Sequence, residues 1–109
     1  MNTEFLFNSV GQWIAYRISK RWVWSRDGQW IGWCPWVDDP DCVVSVEGNY
    51  LGHIVGDRLF RSDYQAFRGY PGYPGYPGYP GYPGYPGFAG MVLLPLGMRD
   101  VPSGLLGGD

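Results

Sequence analysis

The residues of this chain with the types to do chemistry are few: Cys34, Cys42, the acidic run Asp38-Asp39-Pro40-Asp41 between them, and a single histidine, His53. Two cysteines and one histidine fall short of a four-ligand zinc motif, and their spacing matches none. In a reducing compartment both thiols are expected as small apolar fillers. A disulfide is geometrically conceivable, because each cysteine ends a strand flanking the same loop. The acidic run offers oxygen ligands without the ligand spacing of a calcium loop. Nucleophilic catalysis needs an activated hydroxyl or thiol beside a base. None of Ser9, Ser19, Ser25, Ser45, Ser62 and Ser103 lies in a nucleophile motif. The glycines fall in strand turns, where none precedes a helix to cradle a phosphate. Glu4 and Glu47 would pair as acid and base only by accident of folding. The expectation is a protein that is not an enzyme and has no catalytic residues, no cofactor and no metal.

Charge and composition narrow the partners. Eight Lys and Arg against ten Asp and Glu leave a net charge of −2 over 109 residues. Nucleic-acid binding draws its affinity from neutralised phosphates, so no nucleic-acid partner is expected. One local cluster runs the other way: Arg17, Lys20, Arg21 and Arg26 lie among tryptophans, and all six tryptophans fall between residues 13 and 36. Such a cluster is ordinarily a solvated sheet edge. No apolar stretch is long enough to span a bilayer as a helix; the run Met91-Val92-Leu93-Leu94 ends at Pro95. The opening Met1-Asn2-Thr3-Glu4 has no basic leader, which makes the cytoplasm the expected compartment.

The elements that position these residues come from an internal repeat. Gly11, Gly28 and Gly48 head matching segments: Gly11-Gln12-Trp13-Ile14-Ala15-Tyr16, Gly28-Gln29-Trp30-Ile31-Gly32-Trp33 and Gly48-Asn49-Tyr50-Leu51-Gly52-His53. An Asn or Ser stands three residues before each glycine. A degenerate fourth copy covers Phe60 to Phe67, with Tyr64 where glycine is expected, and residues 35–41 form an insertion between the second and third copies. Each copy reads as a β-hairpin with a tight turn, because glycine adopts positive φ freely and the flanks are β-branched and aromatic. Gly56-Asp57 is expected to turn the chain between the third and fourth copies. The predicted fold is all-β: four repeated hairpins closed into a small pseudo-fourfold barrel.

A two-residue turn would pair Phe7 with Ile14, Trp24 with Ile31, Val44 with Leu51 and Phe60 with Phe67. The same face would carry Phe5 with Tyr16 and Trp22 with Trp33. Being almost wholly apolar, it is assigned to the interior. The opposite face carries Leu6, Val23 and Val43, and sets a large ring (Trp13, Trp30 or Tyr50) beside a small residue (Ala15, Gly32 or Gly52). Such a ring could cover bare backbone or mark a groove.

The second and third hairpins, Gly28 to Trp33 and Gly48 to His53, resemble those of the 4-fold beta flower domain proteins. The low-complexity Pro-rich tail and its ending, Leu94-Pro95-Leu96-Gly97-Met98-Arg99-Asp100-Val101, are similar as well. The resemblance implies a shallow barrel with an apolar centre and no established activity. A looser likeness of that barrel to tubby and scramblase C-terminal domains implies lipid association by analogy.

Three segments are therefore expected: a four-hairpin domain over residues 1–68, a Gly-Tyr-Pro repeat over 69–90, and an apolar then flexible tail over 91–109. The repeat is expected to be disordered, mixing polyproline II and turns without one conformation. It would serve as a spacer or as a tyrosine-bearing interaction segment. Residues 88–96 are apolar enough to fold back on the barrel or attach to a partner. The expected function is a non-enzymatic binding or scaffold module that associates peripherally with a membrane or another amphipathic surface. Trp13, Trp30, Arg17, Lys20 and Arg21 are the candidate surface, since tryptophan favours membrane interfaces and cationic side chains favour anionic headgroups. The alternative partner is a protein, or a second copy of the chain, engaged by the tail.

Overall fold

Eight strands follow one another around a single sheet in a computed structural model that describes residues 2–66 and 68–107. They are β1 (Thr3–Phe7), β2 (Trp13–Ile18), β3 (Trp22–Ser25), β4 (Trp30–Trp33), β5 (Cys42–Ser45), β6 (Tyr50–Val55), β7 (Arg58–Ser62) and β8 (Met98–Asp100). Each pairs antiparallel with the next, and β7 returns to β1 in a parallel bridge between Phe7 and Arg58. That bridge closes a seven-stranded barrel, with β8 outside it on β7. A 3-10 turn follows over Ser103–Leu106. Among the described residues no helix is long and apolar enough to cross a membrane.

The three glycine-centred hairpins share one turn, which is longer than two residues. In the second hairpin the Ser25 N–H donates to the Gln29 carbonyl at 2.8 Å, and the Gly28 N–H donates to the Ser25 carbonyl at 3.0 Å. Gly28 takes φ +89°, with Gly11 at +92° and Gly48 at +94°. The recurring Asn or Ser now has a role. Asn8 Oδ1, Ser25 Oγ and Ser45 Oγ each accept the backbone N–H four residues on, at 2.9, 3.1 and 3.1 Å.

This turn slips the register by one residue next to the glycine. Phe7 pairs with Trp13, Trp24 with Trp30 and Val44 with Tyr50, each beside a bulge, and not with Ile14, Ile31 and Leu51 as expected. Beyond the bulge the expected pairs Phe5–Tyr16 and Trp22–Trp33 stand. The slip carries Trp13, Trp30 and Tyr50 onto the face of Phe7, Trp24 and Val44, because side chains alternate across a strand. That face, expected inside, is the outer wall, and the face of Leu6 and Val23 is the interior. Leu6, Ala15, Val23, Val43 and Leu59 form the central core with the bulge residues Ile31 and Leu51. Phe7, Tyr16 and Trp24 lie on the outer wall in a second cluster, together with Trp13.

The fourth hairpin is also built differently. Residues 63–66 form no strand, and Phe67 lies outside the described residues. The strand opposite β7 is β8, with Phe60 paired to Asp100 and Ser62 to Met98. Val101, 6% exposed, joins the central core at the position equivalent to Ala15, Gly32 and Gly52. The Tyr-Pro-Gly repeat is thus an insertion within the fourth hairpin. The Gly56-Asp57 turn is as expected, with Val55 paired to Arg58.

The barrel end away from the glycine turns is polar. Arg17 donates to both carboxylate oxygens of Glu4, at 2.9 and 3.1 Å, and to Asp41 and the Pro40 carbonyl at 3.2 and 3.1 Å. The Arg17 hydrogen bonds hold the Glu4 carboxyl below the usual carboxylate range, outweighing the desolvation that would raise it. A carboxyl with a depressed folded pKa stabilises the native state above its unfolded pKa, about 4.3. That contribution is lost as pH falls through the lower folded value. Urea unfolding across this acid range should show wild type losing more stability than Glu4→Gln, with parallel curves refuting the linkage.

Candidate functional site

The five residues proposed from the sequence do not share one surface. Trp13 is 2% exposed, and its indole N–H donates to the Ala15 carbonyl at 2.7 Å. Arg17 is 2% exposed and bound into the polar end described above. Trp30 is half-buried and repeats the Trp13 bond, donating to the Gly32 carbonyl at 2.8 Å. Lys20 and Arg21 are exposed. The Lys20 ammonium lies 3.3 Å from Glu4, and the Arg21 guanidinium sits over the rings of Trp22 and Trp33 at 4.9 and 5.0 Å. Ring beside small residue therefore covers backbone: the indole caps the carbonyl two residues on.

The outer wall is covered by the Tyr-Pro-Gly repeat, which contains neither helix nor strand. It visits the hairpins in reverse order. Tyr70 reaches Gly48 of the third hairpin. Tyr73 and Tyr76 flank Trp30, with ring centroids 5.8 and 5.7 Å away. Tyr76 and Tyr79 flank Trp24 at 5.9 and 5.8 Å, and Tyr82 and Tyr85 flank Trp13, both at 5.9 Å. Every repeat glycine takes φ between +83° and +97°, a region open to glycine without a Cβ penalty. The Tyr16 hydroxyl donates to the Gly81 carbonyl at 3.4 Å. Burial, with Tyr79 nearby, pushes its pKa up to about 12. Between the second and third hairpins the wall leaves an open groove of about 670 Å³, lined by Trp30, Tyr73 and Tyr76 with Gln29, Glu47 and Asn49.

Beyond the repeat the chain is exposed and apolar. Leu93 is 92% and Leu96 104% exposed, and Phe88 and Met91 are also open to solvent. Yet the backbone here is pinned. Ala89 N–H donates to the Gly11 carbonyl at 2.9 Å and Val92 N–H to the Ser9 carbonyl at 2.8 Å. The Arg58 guanidinium donates to the carbonyls of Gly90 and Ala89 at 2.6 and 3.2 Å. No charged residue occurs between Arg68 and Arg99.

One cluster of metal-ligating types is assembled. Cys42 and His53 are directly opposed on β5 and β6, and Asp39 from the inserted loop lies against them. The ligand atoms of all three lie within 4.8 Å of one another. His53 Nε2 is 3.1 Å from Asp39 Oδ2, and Nδ1 is 2.9 Å from the Tyr50 hydroxyl. Both cysteines are free thiols. Burial, then the Asp39 charge, pushes Cys42 up to about 11, and burial raises Cys34. Counting ligands by type and spacing missed this group. The expected pairing of Val44 with Leu51 already sets Cys42 opposite His53, and Asp39 joins them only through the path of the inserted loop.

No protein-family model, curated protein or solved structure matches the chain.

Proposed function

We propose that this protein is a non-enzymatic binding module that associates peripherally with lipid surfaces through residues 88–96. The observation that carries this reading is a run of large apolar side chains held open to solvent by a backbone bonded to the barrel. Exposed contiguous apolar surface marks an interaction site. The neighbouring repeat tyrosines stay roughly half exposed, and such amphipathic rings favour the headgroup region. The basic residues Lys20 and Arg21 lie outside this uncharged segment. Binding therefore rests on apolar insertion and should depend little on salt, since only charge attraction is screened.

Vesicle co-sedimentation tests this. The full chain should pellet with zwitterionic and anionic vesicles alike, at low and high salt. Burying one leucine is worth about 1.5–3 kcal/mol, so Leu93→Asp with Leu96→Asp should weaken binding by about a hundredfold or more. Failure of wild type to pellet with either vesicle ends the proposal.

A second reading is self-assembly through the repeat. Its tyrosines meet the wall largely through ring contacts, so the repeat of a second copy could occupy the same wall. Light scattering that rises with concentration, and is lost on deleting residues 69–90, would favour this reading.

A further inference from the structure

Cys42 and His53 form a cross-strand pair, and directly opposed residues bring their Cβ atoms about 4.5–5.5 Å apart. The inserted loop is folded back on this pair by its own backbone. Asp39 N–H donates to the Trp36 carbonyl at 3.2 Å, and Cys42 N–H donates to the Asp39 carbonyl at 3.1 Å. One sulfur, one imidazole nitrogen and one carboxylate oxygen therefore converge from two separate elements. A tetrahedral ion with bonds of about 2.0–2.3 Å needs its ligands about 3.3–3.8 Å apart. The 3.1 Å between His53 Nε2 and Asp39 Oδ2 is close to this already. His53 is oriented through its second nitrogen by the Tyr50 hydroxyl, itself fixed by the Ser62 N–H at 2.9 Å. Metal-binding imidazoles carry this kind of outer partner.

We propose that Asp39, Cys42 and His53 bind a divalent zinc ion, with water as the fourth ligand. The donor set selects the metal. Calcium and magnesium take oxygen ligands, whereas mixed sulfur, nitrogen and oxygen donors suit zinc. Cys42 binds as the thiolate and releases its proton to solvent. His53 binds through Nε2, with its proton kept on Nδ1. The opposing cation is Arg68, whose Nη1 lies 3.6 Å from Asp39 Oδ2. Zinc displaces that contact, while Arg68 keeps Asp38 at 2.6 Å.

Cobalt(II) titration of the reduced full chain tests the site. Wild type should bind one equivalent and develop a sulfur-to-cobalt charge-transfer band, which one equivalent of zinc removes. Cys42→Ser should abolish the band and Cys34→Ser should keep it. Asp39→Asn and His53→Ala, at half-buried positions, should each weaken cobalt binding by at least about tenfold with an unchanged far-UV spectrum. Arg68→Gln should tighten it. No band in wild type, or a band unaffected by Asp39→Asn and His53→Ala, overturns the proposal even if Cys42→Ser fails to fold.

Discussion

Serine in place of Tyr76, Tyr79, Tyr82 and Tyr85 is expected to lower stability by roughly 3–7 kcal/mol and to shift tryptophan emission to the red. The four rings make five contacts with Trp13, Trp24 and Trp30. Aromatic pairs contribute about 0.5–1.5 kcal/mol each beyond the area they bury. A domain of this size has only about 5–15 kcal/mol in total, so the loss would leave it marginal. The effect is large because the repeat covers what would otherwise be bare indole on the outer wall. Trp24 is only 1% exposed with the repeat in place. Urea unfolding followed by tryptophan fluorescence reads both quantities. An unchanged midpoint and emission maximum would mean that the repeat contributes nothing to the cover.

Gly32→Ala and Gly52→Ala should each cost at least about 3 kcal/mol, the upper end for overpacking. A Cβ on Gly32 would collide with the Val44 carbonyl oxygen and lie 3.1 Å from a Val43 methyl. On Gly52 it would lie 2.5 Å from the Phe60 carbonyl oxygen. Backbone cannot rotate out of the way as a side chain can, so relief requires separating adjacent strands. Thermal denaturation of the two variants is the measurement. Wild-type midpoints would show that the strands part freely there. Gly56→Ala is the contrasting case, since no atom lies within 4 Å of the added carbon and only its φ of +65° opposes the change.

The hairpins were legible in the sequence because glycine, its Asn or Ser partner and the following ring recur together. Pairings far from the turn, such as Phe5 with Tyr16, followed from the same pattern. What could not be read was the turn length, because a dipeptide such as Asp27-Gly28 fits either a two-residue turn or a longer one with a bulge. A single residue of slip carried Trp13, Trp30 and Tyr50 to the face of Phe7 and Trp24. That face lies outward, and the face of Leu6 and Val23 inward. The apolar outer face misled for a related reason. Its cover lies some fifty residues downstream, in a segment whose composition signals disorder. The expected register already opposed Cys42 to His53; Asp39 was hidden by the path of the inserted loop.

The repeat on the outer wall has a vernier property. Its units are identical, and Trp13, Trp24 and Trp30 each sit between two successive tyrosines. Sliding the belt by one unit therefore presents the same chemistry to the same indole. Gain or loss of a triplet shifts the belt by one seat and leaves every remaining ring an equivalent place. Length can drift in such a belt while the barrel beneath it stays unchanged.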